Sequence, residues 1–357
     1  CLAIVIKELF EIYVALKEKK ELDNKEIHPY SDYIQWFYKQ NKEDAIEYWD
    51  KYLEGIETES IVPNFTSNVT EEKYVLKEHV FEIEEGITEK LRLIAKDNKV
   101  TENTVFQSLW GVMLQKYNNI NDIVFGSVVS GRPPEITGIE EMVGLFVNTI
   151  PVRINCDQEM NFQELIRKIH EEATSSTRYH YVPISEIQSN SYLGNNLINH
   201  LVGFENYPLQ DDINGFFGRD DLLGFRINDI DIYEQINYDF NIIVVPENKM
   251  KIRLSYNEAV YSKEAVINIE KHMNQVMNEV TGNPRIKIKD IRIITEEEKQ
   301  KVLYDFNGTK RLYPLDKTIH DLFMEQAKKT PDKTAVVCEG IEYTYQELDQ
   351  KSNRLAN

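Results

Sequence analysis

A change of pattern near residue 199 limits most strongly what this chain can fold into. Before it, three strand-like segments alternate with helical ones, at residues 74–83, 122–129 and 149–154. After it, four strand-like segments follow one another without a helix between them, at residues 201–204, 225–232, 238–245 and 250–256. Strands grouped in this way, with helices elsewhere, predict an α/β (α+β) sandwich on a mixed sheet rather than a doubly wound parallel fold.

Helical periodicity predicts the remaining elements of this part of the chain. Apolar residues recur at helical spacing in six segments, at residues 2–16, 32–53, 88–97, 102–117, 162–174 and 262–280. Thr101 and Ser262 stand where an N-cap is expected. The aromatic stripe within residues 32–53 is typical of a packed core, and the polar, aperiodic stretch at residues 58–70 indicates a loop.

Charge and cysteine content exclude several classes of partner and site. The chain has 60 acidic and 41 basic residues, whereas nucleic acid or an anionic membrane would require a basic footprint. The apolar runs, such as residues 2–6 and 242–245, are far too short to cross a bilayer. Cys1, Cys156 and Cys338 are widely separated, which argues against a disulfide framework or a metal site and fits a cytoplasmic location.

The composition changes again at residue 295, where a charged segment predicts a surface linker. Residues 296–305 are typical of a linker helix, which Asn307 and Gly308 end. A new set of elements then follows, with helices at residues 319–328 and 345–356, a strand at 335–338 and a turn at 339–340. We therefore expect a linker over residues 295–316 and the start of a second domain over residues 317–357.

Several motifs, in a fixed order, resemble one enzyme family. Residues 144–153 (G-L-F-V-N-T-I-P-V-R) resemble the G-x-F-V-N-T-L-P-V-R motif of nonribosomal peptide synthetase condensation domains. Residues 125–133 (F-G-S-V-V-S-G-R-P) resemble that family's G-x-x-x-x-G-R-P strand and turn, and Y-S-D-Y at residues 30–33 resembles its Y-x-D-Y/F helix start. Two further stretches, F-E-N-Y-P at residues 204–208 and N-Y-D-F-N at 237–241, are similar to segments common in these domains.

The end of the chain resembles the beginning of an adenylation domain. Residues 343–348 (Y-T-Y-Q-E-L) are similar to the first adenylation motif, L-T/S-Y-x-E-L, with Tyr343 in place of the leucine, and N-R-L-A at residues 353–356 continues the match. The segments I-H-D-L-F at 319–323 and T-P-D at 330–332 resemble the usual opening of such a domain. A condensation domain that runs directly into an adenylation domain resembles the head of an elongation module.

The resemblance implies a chloramphenicol-acetyltransferase-like (CoA-dependent acyltransferase-like) fold of two lobes with a tunnel between them. Residues 1–27 would end the N-terminal lobe, which is otherwise largely absent, and residues 28–294 would form the C-terminal lobe. The implied activity is peptide-bond formation between a donor thioester and an acceptor amine. The implied partners are donor and acceptor peptidyl carrier domains, which hold both groups on 4'-phosphopantetheine, and the downstream adenylation domain in cis, while this fragment itself is expected to bind no cofactor.

The family's H-H-x-x-x-D-G loop, which positions or deprotonates the acceptor amine, has no counterpart in this sequence. K-E-L at residues 7–9 resembles the helix that follows that loop, so the loop is expected just before Cys1 and the fragment is expected to be inactive. His28 and Asp32 have an H-x-x-x-D spacing but lack the flanking His and Gly, which favours a chance match. Two alternatives stay open: a noncatalytic structural or carrier-docking piece, and a freestanding CoA-dependent acyltransferase, against which the adenylation start argues.

The motifs supply candidate site residues. Ser127 and Asn148 can face the substrate tunnel, or serve as an ordinary strand residue and a turn residue. Arg132 and Arg153 can bind the phosphate of a phosphopantetheine arm, or pair with carboxylates at strand ends, and the structural interpretation is favoured. Asp239 can orient the lobe interface or cap a turn, again with the structural interpretation favoured.

Two further features concern local structure. Y-H-Y-V-P at residues 179–183 stands in place of the family's H-Q-D-x-P motif, and His180 is therefore interpreted as a packed or surface residue. Gly126 and Gly131 are expected to serve backbone geometry.

Overall fold

The computed structural model describes residues 2–21, 27–64, 74–205, 225, 237–312 and 314–356. It divides into two compact units, Cys1–Thr295 (unit 1) and Glu296–Asn357 (unit 2). The assignment of residues 1–27 and 28–294 to different lobes stays a prediction.

The helices and strands described in unit 1 follow the predicted order, except that the helix Ile184–Asn190 was not predicted. The helices are α1 (Leu2–Glu18), α2 (Tyr30–Tyr38), α3 (Lys42–Leu53), α4 (Glu85–Asn98), α5 (Glu102–Asn118), α6 (Phe162–Ser176), α7 (Ile184–Asn190) and α8 (Lys263–Gly282). The strands are β1 (Leu76–Glu82), β2 (Asp122–Val129), β3 (Asn148–Asn155), β4 (Leu201–Phe204), β5 (Phe240–Val245) and β6 (Lys251–Asn257).

These strands form one mixed sheet in the order β1-β6-β5-β4-β2-β3. The pairs β2–β4 and β4–β5 are parallel, whereas β1–β6, β5–β6 and β2–β3 are antiparallel. The predicted mixed-sheet α/β fold is therefore confirmed. The strand expected at residues 225–232 lies outside the described residues, apart from Phe225.

Strand β3 lies at an edge of the sheet, as Pro151 in its middle predicts. Pro151 pairs with Gly126 of β2 and has no N–H to offer to a further strand. Two residues on, the Arg153 N–H donates to the Tyr52 hydroxyl at 2.9 Å, so α3 covers this part of the edge. Both features stop the edge from pairing with another chain.

The sheet is packed by two cores. The main core joins the sheet to α4, α5, α6 and α8, and includes Ile123 and Phe125 of β2. The second core joins Trp49 of α3 to α7 and includes Val124 of β2. Because successive strand residues point to opposite faces, β2 contributes to both cores and is covered on both sides.

The starts of three helices are set by N-cap side chains close by in the sequence. Thr101 and Ser262 cap α5 and α8 by accepting hydrogen bonds from backbone N–H groups three residues on, which confirms both predicted N-caps. The single helix expected over residues 32–53 is wrong, since α2 and α3 are separate. The Asn41 side chain accepts from the Asp44 N–H and so begins a new helix.

Unit 2 consists of a short N-terminal helix and a small helix–hairpin–helix. Its elements are α9 (Glu296–Gln300), a π-helical turn (Lys301–Asp305), α10 (Ile319–Lys329), β7 (Thr334–Cys338), β8 (Ile341–Thr344) and α11 (Tyr345–Ala356). Strand β8 pairs antiparallel with β7 and was not predicted. In the part of unit 2 that the structure describes, only Ala327 is buried, so the unit has no core of its own.

Candidate functional site

Two motif segments that are distant in sequence meet in one cluster. Tyr33, Ile136, Ile139, Met142 and Phe146 are buried together, with Tyr30 and Trp36 packed against them. The Tyr30 hydroxyl donates to the Leu145 carbonyl at 2.8 Å, and the Tyr33 and Phe146 rings are 4.9 Å apart. We call this group the motif cluster. It fixes the loop between β2 and β3 against the start of α2.

Gly131 and Arg132 shape that loop. Gly131 has a φ of +62°, and a Cβ on it would lie 1.7 Å from the Phe146 carbonyl oxygen. The Arg132 guanidinium lies 4.2 Å from the centre of the Phe146 ring and donates to the carbonyls of Ile139 and Met142. These contacts give Arg132 a place in the packing of the loop, through carbonyls and a ring instead of the expected carboxylate pair at a strand end. The close approach of Phe146 shows why a glycine stands at 131.

Asn148 joins the start of β3 to the segment before α7. Its side-chain amide donates to the carbonyls of His180 and Val182, each at 2.7 Å. Both protons of the amide nitrogen are therefore used within the fold. A tunnel role for Asn148 stays a prediction.

Ser127 lies inside the interface between the sheet and α5. Its side chain is 2% exposed, and its hydroxyl accepts a hydrogen bond from the Gln107 amide at 2.9 Å. This position gives the predicted tunnel role no support.

Arg153 forms a dense set of contacts at the other end of the β2–β3 pair. Its Nε and Nη2 donate to the two carboxylate oxygens of Asp122 at 2.9 and 2.6 Å, and Nη1 donates to the Tyr52 carbonyl at 2.7 Å. The Arg153 and Asp122 side chains are 17% and 29% exposed. A bidentate pair of this kind braces the edge strand, which supports the structural interpretation.

Asp239 precedes β5 and lies opposite Asn257 at the end of β6. Its carboxylate accepts from the Asn257 amide at 2.8 Å, and its carbonyl accepts from the Asn257 N–H at 2.9 Å. These contacts join two neighbouring strands, which supports a structural role but not the turn cap. The candidate residues thus occupy separate places on the sheet, apart from Arg132 and Asn148, which both flank the loop between β2 and β3.

The two histidines considered from the sequence are both packed. A Cβ on Gly138 would lie 2.0 Å from the His28 ring, so this ring rests on the β2–β3 loop. Burial lowers the pKa of His180 to about 4, and its ring is 3.1 Å from the Ser176 hydroxyl. A neutral, enclosed His180 agrees with its interpretation as a packing residue.

Sequence reasoning missed a third histidine, His200, which is fully buried at the start of β4. Its Nε2 accepts from the Trp110 indole N–H at 2.8 Å, and its ring stacks on Phe125. Nδ1 has no hydrogen-bond partner within the described part of the chain. The sequence did offer one indication of this contact: Trp110 lies in a predicted helix, and a buried indole N–H needs an acceptor.

His200 makes stability depend on pH. Burial lowers its pKa from the usual 6.5 to about 3, so below pH 6.5 the unfolded chain binds a proton that the folded chain does not. Stability is therefore lost as the pH falls from 6.5 towards 3, by about 1.4 kcal/mol per pH unit from this residue. When the free energy of unfolding is measured by urea titration between pH 5 and 6, its change per pH unit should be smaller by about that amount in His200→Gln, because glutamine can accept the Trp110 hydrogen bond without titrating. An unchanged slope would contradict this assignment.

A surface cavity of about 550 Å³ lies between α3, β3 and α6. Of its lining residues, sequence reasoning singled out only Arg153. Within the described residues, no group of three His, Cys, Asp or Glu side chains could hold a metal ion, and no helix is long and apolar enough to span a membrane.

Comparison with known proteins decides the family. The sequence profile of the condensation domain matches residues 1–303. The chain belongs to the condensation-domain family. The general activity of this family in nonribosomal peptide synthetases is peptide-bond formation.

Curated relatives are much longer than this chain. It is 41% identical over 358 aligned residues to gramicidin S synthase 2 of Brevibacillus brevis, covering 100% of the chain and 8% of that protein. It is 43% identical to tyrocidine synthase 3 of Brevibacillus parabrevis, again covering 100% of the chain but 6% of that protein. The chain thus spans less than a tenth of these two relatives.

Solved structures confirm the fold. A four-domain nonribosomal peptide synthetase bound to AMP and glycine superposes with a TM-score of 0.73 at 18% identity, covering 98% of this chain and 28% of that one. The first condensation domain of the CDA synthetase superposes with a TM-score of 0.60 at 14% identity, covering 82% and 63%. The predicted chloramphenicol-acetyltransferase-like lobe is therefore correct.

Proposed function

We propose that this chain is the C-terminal part of a condensation domain together with the start of an adenylation domain, within an elongation module. The observation that carries the proposal is the condensation-domain match over residues 1–303, combined with alignments to peptide synthetases that continue through the whole chain. The helix–hairpin–helix of unit 2, with a single buried residue among those described, supports its assignment as the opening part of a larger domain. The cytoplasmic location stays a prediction.

In the intact module, the amine of the acceptor attacks the thioester carbonyl of the donor. A C–N bond forms, the C–S bond breaks, the donor arm leaves as a thiol, and the amine loses a proton. Both substrates arrive on 4'-phosphopantetheine arms of carrier domains. Much of the acceleration is then expected from holding the amine and the carbonyl carbon in reacting geometry.

The chain itself is proposed to be catalytically silent, because it lacks an H-H-x-x-x-D-G loop and the three histidines considered are packed. His28 rests on Gly138, His180 is neutral and enclosed, and His200 is fully buried. The same observations favour the alternative that the chain acts as a structural or carrier-docking part.

The test is a condensation assay with loaded donor and acceptor carriers. We expect no dipeptide above the reaction without protein, while an intact condensation domain that accepts the same carriers forms product. Turnover clearly above background would refute the proposed inactivity. His28→Ala and His180→Ala would then show which imidazole acts as the base.

A further inference from the structure

The cavity between α3, β3 and α6 is open to solvent and has the volume of a ligand site. Its volume of about 550 Å³ falls within the range of small-molecule pockets, roughly 300–1,000 Å³. The lining residues are Tyr48, Lys51, Tyr52, Arg153, Asn155, Lys168 and Glu172. None of the candidate site residues other than Arg153 lies there.

The charges that line the cavity are mostly positive, although the chain as a whole carries −19. Three cations, Lys51, Arg153 and Lys168, line the cavity with one carboxylate, Glu172, whose nearer oxygen lies 3.9 Å from the Lys168 ammonium. Asp122, which is outside the lining, pairs with Arg153, so the two lysines supply the unbalanced positive charge. Burial raises the pKa of Glu172, so its negative charge is poorly hydrated. Local charge of this sign favours an anionic ligand.

The cationic groups keep donors available. Arg153 uses three of its five N–H donors on Asp122 and Tyr52, and these bonds hold the guanidinium in place. Two N–H donors of the guanidinium remain. The Lys51 ammonium has no hydrogen-bond or ion-pair partner among the residues that the structure describes. The two remaining N–H donors of a fixed guanidinium, together with two ammonium groups, suit the three oxygens of a phosphate better than a single carboxylate.

The remaining wall is aromatic. Tyr48 and Tyr52 lie one helical turn apart on α3, with ring centres 6.1 Å apart and planes inclined by 10°. Tyr52 is fixed, because its hydroxyl accepts the Arg153 N–H at 2.9 Å. Tyr48 also stacks on Tyr179, with ring centres 4.3 Å apart, so the two rings offer only their remaining surface to an apolar group attached to the anion.

We propose that this cavity binds a phosphate monoester that carries a ring or another apolar body. The phosphate belongs to a free small molecule; the prosthetic arm of a carrier domain, whose phosphate is a phosphodiester with a single negative charge, is the competing source that the experiment distinguishes.

Calorimetric titration of the 357-residue chain with phenyl phosphate tests the proposal. Wild type should bind phenyl phosphate saturably and more tightly than inorganic phosphate. Lys51→Glu should weaken binding roughly tenfold, and Glu172→Gln should strengthen it roughly threefold. Lys90→Glu, at an exposed site on α4, makes the same charge change outside the cavity and should alter binding by less than about twofold, because salt screens distant charges.

Lys51 is exposed but lies in the last turn of α3, where a negative charge opposes the helix dipole, so Lys51→Glu should lower the thermal midpoint slightly, and binding is compared at a temperature at which every variant is folded. Displacement of phenyl phosphate by a phosphopantetheine-loaded carrier domain, but not by the unmodified carrier, would assign the phosphate to the carrier arm. Displacement by neither would assign it to a free small molecule. Absence of saturable binding to wild type, or equal binding by Lys51→Glu and Lys90→Glu, would overturn the proposal.

Discussion

Gly131→Ala should destabilise unit 1 by about 3–5 kcal/mol, because backbone strain and overpacking act together at this position. The residue has a φ of +62°, a conformation that alanine adopts only at a cost. A Cβ there would also lie 1.7 Å from the Phe146 carbonyl oxygen, which is backbone and cannot turn away. The loop must therefore shift, and with it the Arg132 contacts that hold the motif cluster.

Gly194→Ala is the matched control. Gly194 also has a positive φ, of +54°, but nothing lies within 4 Å of a Cβ built on it. Gly194→Ala should therefore reduce the free energy of unfolding by only about 1 kcal/mol, the cost of the backbone conformation alone. Urea denaturation of both variants separates strain from collision. If Gly131→Ala loses no more stability than Gly194→Ala, the close approach of Phe146 does not determine the choice of glycine.

Those parts of the fold that depend on local signals could be predicted from the sequence. The bounds of β2 and β4 were predicted to the residue, because runs of β-branched and apolar residues end there at turn-forming residues. Pro151 agrees with the edge position of β3, since a proline has no N–H to donate to a further strand. Thr101 and Ser262 were identified as caps for a similar reason, because the side chain bonds to the backbone nearby.

Contacts between distant residues could not be predicted in this way. Nothing local links Trp110 to His200, or Tyr30 to Leu145, although each pair shares a hydrogen bond. Each bond forms only once the sheet and the helices have brought distant segments together. Site prediction suffered most from this limit. The candidate residues were chosen from motifs, whereas the cavity is lined by residues from three elements, of which only Arg153 belongs to a motif.

Arg153→Ala should cost about 2–4 kcal/mol, because it removes a bidentate bond and leaves the Asp122 carboxylate partly buried without its main partner. The side chains are 17% and 29% exposed, so water compensates for part of the loss. The variant also removes the donor to the Tyr52 carbonyl, which ties α3 to the edge strand. Urea denaturation at neutral pH measures the total effect.

A double-mutant cycle with Asp122→Ala isolates the pair. If the bracing role is right, the double variant should lose clearly less stability than the two single variants together, since each single change already breaks the same interaction. The phosphate-binding interpretation makes a different prediction. If Arg153→Ala unfolds like wild type but weakens binding of a phosphopantetheine-loaded carrier domain to the intact module, Arg153 is a ligand contact and the structural assignment fails. If Arg153→Ala is destabilising but the effects of the two single variants add up in the double variant, the Arg153–Asp122 pair does not account for the loss. The loss would then come from the bond between Arg153 and the Tyr52 carbonyl, which Asp122→Ala leaves in place.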